Sequence, residues 1–86
     1  MAEICRFYGI IIRMFHREHL PPHFHAAYGE YEAIISIHSP AIIHGNLPPR
    51  ALGLVVEWAT IHKEELEENW IQAGNFGKLR KIEPLK

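Results

Sequence analysis

Cysteine is almost absent: Cys5 is the single thiol in 86 residues, which excludes an internal disulfide and a thiolate zinc framework. One reduced cysteine fits a cytosolic chain, and the cytoplasm is the expected location. Long hydrophobic runs are missing too. Ile10-Ile11-Ile12 stops at Arg13, far short of the roughly 20 apolar residues that span a bilayer. Met1-Ala2-Glu3-Ile4-Cys5-Arg6 has no basic stretch followed by an apolar one, so no signal peptide and no membrane partner are expected. An excess of one charge is also lacking. Nine Lys and Arg against ten Asp and Glu argue against both a disordered polyelectrolyte and a strongly basic nucleic-acid surface. There is no G-x-G-x-x-G or G-x-x-x-x-G-K-[ST] phosphate loop and no G-x-S-x-G nucleophile turn.

What the chain has in quantity is histidine, seven residues, within an ordinary hydrophobic content of 48%. Residues 4–16 are rich in β-branched and aromatic types interrupted by Gly9, which reads as two short strands or one bent strand. Arg17 to Pro22 reads as a loop. Residues 23–38, HFHAAYGEYEAIISIH, read as a hairpin turning at Gly29-Glu30, where glycine in first place suits a type II′ turn. That register sets Tyr28 opposite Tyr31, Ala26 opposite Ala33 and Phe24 opposite Ile35, a core face continued by Ile37. His23, His25, Ala27, Glu32, Ile34, Ser36 and His38 fall on the other face.

Asn46 is a candidate helix cap, with Pro48 or Pro49 in the first turn, and the pattern predicts one helix to about Ala73. Leu52, Val55, Ala59, His62, Leu66 and Trp70 form its apolar stripe, and Gly74-Asn75 stops it. The expected fold is α+β: a small antiparallel sheet of three to four strands packed by one long C-terminal helix. Residues 1–77 form the domain, and 78–86, with Lys78, Arg80, Lys81 and Lys86, form a basic tail read as mobile or partner-binding.

The sharpest local feature is His23-Phe24-His25 after Pro21-Pro22. Residues two apart on a strand share a face, so both imidazoles stand about 6–7 Å apart along the chain and can converge on one point. That geometry suits a divalent transition metal such as zinc, iron, nickel or copper, with His38 as the preferred third ligand and Glu32, His16 or His19 as others. It equally suits a general acid–base pair for RNA cleavage, with Arg13 or Arg17 as the cation that steers phosphate. Solvated or hydrogen-bonded surface histidines that do neither are the commoner outcome of such a pair. His62, on the apolar stripe, reads as a hydrogen-bonded core residue, and Cys5 as a small buried apolar group.

The strings RFYGIIIRMF, HLPPHFHAAYGEYEAIISI and GNLPPRALGLVVEWATIHKEELEENW, from about Ile4 to Trp70, resemble the bacterial family named domain of unknown function 4160. The matching positions include Gly9, Arg13, Pro21, Pro22, His23, His25, Gly29, Trp58 and His62. His19-Leu20 stands where the family more often has a His-Pro pair. The family has no established activity. The resemblance implies one component of a two-gene, toxin–antitoxin-like module, working through a small partner of the domain of unknown function 2442 type. Within that expectation His23, His25 and Arg13 are the catalytic candidates. A metal site of His23, His25 and His38 is the alternative, and a non-catalytic binding module is the second. A second copy of the chain and RNA are further expected partners.

Overall fold

The computed structural model describes residues 2–86. Five strands form one antiparallel meander in chain order: β1 (Ala2–Phe7), β2 (Ile10–Met14), β3 (His23–Tyr28), β4 (Tyr31–Ser36) and β5 (Ile42–Gly45). Two helices follow, α1 (Pro49–Ile61) and α2 (Lys63–Gly74). The α+β class is as expected, whereas the sheet has five strands rather than three or four and the helical stretch is two helices rather than one.

Each difference has a local cause. Tyr8 and Gly9 both hold positive φ, 49° and 80°, the pattern of a type I′ turn, so residues 2–14 form a true hairpin and not a bent strand. At Gly29, φ is 57° while Glu30 is not positive, as a type II′ turn requires, and the β3–β4 register is the expected one from His23↔Ser36 to Tyr28↔Tyr31. The fifth strand is the short apolar segment before Gly45. There the chain passes so close to β4 that a Cβ on Gly45 would lie 2.3 Å from the Glu32 carbonyl oxygen. The helix breaks at His62, whose φ and ψ of −107° and 27° leave the helical region. The apolar stripe nevertheless continues, because His62 N–H still donates to the Trp58 carbonyl and Leu66 N–H to that of His62. Glu64 and Glu65, at the start of α2, place negative charge where a helix N-terminus favours it.

Trp58, fully buried, joins the two layers. Its ring lies 5.4 Å from Phe7 and edge-to-face with Phe24 at 5.8 Å. Ile10, Ile12, Ala26, Ala33, Ile35 and Ile37 complete the sheet side of the core, and Ala51, Val55, Ala59 and Leu66 the helical side. Tyr28 and Tyr31, expected in the core, stand 38% and 39% exposed at the sheet's turn end. Cys5 is buried, and burial pushes its thiol pKa up, as befits an apolar group.

The segment read as a mobile tail is docked. Buried Asn69 donates from Nδ2 to the Arg80 carbonyl and accepts the Arg80 N–H on Oδ1, both at 2.9 Å. Ile82 is buried and donates its N–H to the Ile4 carbonyl at 2.8 Å, so the segment shields the β1 edge. Trp58 Nε1 donates to the Glu83 carbonyl at 2.8 Å. Asn69→Ala leaves two backbone groups unpaired and is expected to cost about 1–3 kcal/mol. Hydrogen exchange should then show lost protection at Arg80 and Ile82, and denaturant titration the lowered stability.

Candidate metal centre

The connection from β2 to β3 runs from residue 15 to residue 22 and is stapled to the end of α2. Arg17 N–H donates to the Ala73 carbonyl at 3.2 Å, and His16 Nε2–H donates to the Gly77 carbonyl at 3.2 Å. The His16 ring stacks on Phe76 with centroids 5.9 Å apart, and the Arg17 guanidinium lies 5.1 Å from the same ring. These contacts aim Glu18 back over the first residues of β3.

There Glu18, His23 and His25 meet. The potential ligand atoms of the three lie within 4.8 Å of one another, the one such group among the described residues. His23 Nδ1–H donates to the Pro21 carbonyl at 2.8 Å, which assigns the proton of a neutral ring to Nδ1 and leaves Nε2 with a lone pair. That Nε2 faces Glu18 Oε1 at 3.2 Å, and His25 Nε2 stands 2.6 Å from the same oxygen. Two imidazole nitrogens and a carboxylate oxygen that converge in this way are donor types that a cation can take.

Burial grades across the site. His23 is buried, with the Trp70 ring 5.0 Å away, while the side chains of His25 and Glu18 are 15% and 30% exposed. Phe15 meets the His25 ring edge-on at 4.5 Å. Burial alone would raise the Glu18 carboxyl pKa. The hydrogen bonds and charges of His25, and then of His23, outweigh it and hold the carboxyl below its ordinary value.

The two histidines come together as expected, with ring centroids 5.5 Å apart. Arg13 is the cross-strand neighbour of His25 in β2, on the same face. His38, the expected third ligand, lies beyond the end of β4, exposed and outside the cluster, and Glu32 and His19 are exposed and outside it too. His16 is spent on the α2 contacts. Glu18 was missed as a ligand because its place depends on the path of a loop. The only signal in the sequence was an acid five residues before His23. His62 Nδ1–H donates to Glu65 Oε1 at 2.5 Å, and its ring lies 5.7 Å from that of Trp58.

On the sheet face beside His25 lies a hollow of about 360 Å³, lined by Glu32, Ile34 and His44 among others. No helix among the described residues is long and apolar enough to cross a membrane. A family model described as Domain of unknown function (DUF4160) matches residues 9–71. Neither a curated protein nor a solved structure matches the chain significantly.

A carboxyl whose pKa folding depresses adds stability that is present above its unfolded pKa and lost as pH falls through the folded value. Stability should therefore fall on acidification through and below the ordinary carboxylate range. Glu18→Gln should flatten that part of the profile, as measured by urea unfolding at a series of pH values.

Proposed function

The chain belongs to the family described as Domain of unknown function (DUF4160), and we propose that it binds a divalent transition-metal ion through Glu18, His23 and His25. The observation that carries this reading is the convergence of His23 Nε2 and His25 Nε2 on one oxygen of Glu18, with His23 Nδ1 already committed to Pro21. Metal-ligating histidines commonly donate the other ring N–H to a carbonyl in this way, which fixes the tautomer that ligates. Ligands about 2.0–2.1 Å from a tetrahedral ion stand roughly 3.3 Å apart. The 3.2 Å pair is already at that spacing, and the 2.6 Å pair needs to open by less than about 1 Å. Two histidines and one carboxylate leave coordination positions free, the pattern of catalytic zinc and non-haem iron rather than of a closed structural site. Arg13 beside His25 adds positive charge, so the free positions favour an anionic ligand.

The acid–base reading of His23, His25 and Arg13 in RNA cleavage has less support. Both rings address Glu18 rather than the two sides of a substrate phosphate, and His23 is buried. Isothermal titration of untagged, metal-stripped protein with Zn²⁺, Ni²⁺ or Fe²⁺ should give one equivalent of binding, accompanied by a change in tryptophan fluorescence from Trp70. Glu18→Gln and His23→Ala should each weaken it by roughly 100-fold or more, beyond the 10–100-fold that loss of an outer-shell partner costs. Wild-type affinity in both variants would end this reading.

A second reading is that the chain works within a two-gene, toxin–antitoxin-like module, pairing with a small protein of the domain of unknown function 2442 type. It is supported by the free outer edge of β5, where Ile43 is 46% exposed, while the β1 edge receives Ile82. A lysine on an edge strand discourages strand addition. Ile43→Lys should abolish co-purification with such a co-expressed partner while the thermal midpoint of the free protein stays within a few degrees. An undiminished complex would dismiss the β5 edge as the docking strand.

A further inference from the structure

A concavity that shares no residue with the metal centre lies at the opposite end of β3. It is a cleft of about 440 Å³ between the hairpin turns and the first half of α1. That volume falls within the roughly 300–1,000 Å³ of small-molecule sites. Its floor is apolar, made by Ile10 and Ala51, both buried. Its aromatic wall is Tyr8 and Tyr28, 61% and 38% exposed. Tyr28 lies beside the β1–β2 turn, where a Cβ at Gly9 would touch its Cε1 at 3.4 Å.

The rim is charged and polarised. Arg50, one residue into α1, stands at one end and Glu57 at the other, with Lys86 also on the rim. Seven residues of helix separate Arg50 from Glu57 by about 10 Å. None of the three takes part in an ion pair among the described residues. The first turn of α1 carries no acidic residue that would repel an anion beside Arg50.

A ligand that uses all of this has a flat aromatic body, an anionic group at one end and N–H donors at the other. Inorganic phosphate would leave the tyrosines unused, and a single-ring aromatic acid without an N–H group would leave Glu57 without a donor. We propose that the cleft binds a nucleoside monophosphate, its base stacked on Tyr28 and Tyr8, its phosphate at Arg50 and its base-edge N–H groups facing Glu57. This site is independent of the metal centre and stands or falls without it.

The test is titration of ¹⁵N-labelled protein with AMP, GMP and UMP, alongside adenosine and inorganic phosphate, followed by amide and tyrosine-ring shifts. The expected result is saturable shifts at Tyr8, Tyr28, Arg50 and Leu54, with each nucleotide tighter than adenosine or phosphate alone. Arg50→Gln should weaken nucleotide binding by about 10–100-fold, as loss of a charge-assisted hydrogen bond implies. Tyr28→Leu should weaken it by about 5–100-fold through lost stacking. Both side chains are exposed, and a dispersed spectrum of each variant confirms the fold. No shifts at about 5 mM nucleotide, phosphate binding as tight as AMP, or unchanged affinity in both variants would each overturn the proposal.

Discussion

One oxygen atom, Oε1 of Glu18, stands within 3.2 Å of the Nε2 atoms of both His23 and His25, and its position is the constraint on which the site depends. Nothing in β3 places it there. It is held by a loop whose backbone bonds to Ala73, whose His16 bonds to Gly77 and whose Arg17 and His16 both pack on Phe76. The end of α2 is therefore part of the site without contributing a ligand. Its own placement is tied through Asn69 to the docked C-terminal segment. In the proposed metal centre, ion binding is thereby linked to the contacts that hold the Glu18 loop against the C-terminal half.

How much of this was legible in the sequence varied with the range of the forces involved. The β3–β4 hairpin was readable pair by pair because its turn residue, Gly29, and its aliphatic alternation act locally and agree. The β1–β2 turn was ambiguous because Tyr8 takes a positive φ, which the sequence of a non-glycine residue does not announce. The helix break was hidden because the apolar stripe passes through His62 undisturbed. Asn69 was not singled out in the sequence, because both of its partners belong to Arg80 in the docked segment. His23 and His25 were readable as a pair from strand alternation alone. Glu18 was not, since its approach is decided by contacts with residues more than fifty positions away. His38 lies two residues past Ser36, where β4 ends, exposed and outside the cluster.

The Glu18–His23–His25 cluster and the cleft sit at opposite ends of one strand. His23 to Tyr28 spans about 17 Å, and alternation turns His23 and His25 to one face and Tyr28 to the other. The helices cover the Tyr28 face through Trp58 and leave the turn end of that face open, which is why two tyrosines in core register are exposed. The histidine face is covered only at its start, by Trp70 and the Glu18 loop. Partial cover on each face thus leaves a hollow on each face.

The chemistry open to the histidine face follows from its gradient of exposure. A group that exchanges protons with a substrate must reach it, and His23 is the least accessible of the three, enclosed by Trp70 and anchored through Pro21. Anchoring and enclosure are costs for a proton shuttle but assets for a ligand, since they fix the tautomer and the direction of the lone pair. His25 and Glu18, the more exposed pair, border the side from which a further ligand would approach. There Arg13 flanks His25 across one strand pair, and Ile34, then His44, follow across the other. The same arrangement that weakens the acid–base reading is therefore what a metal centre with an open, positively biased approach requires.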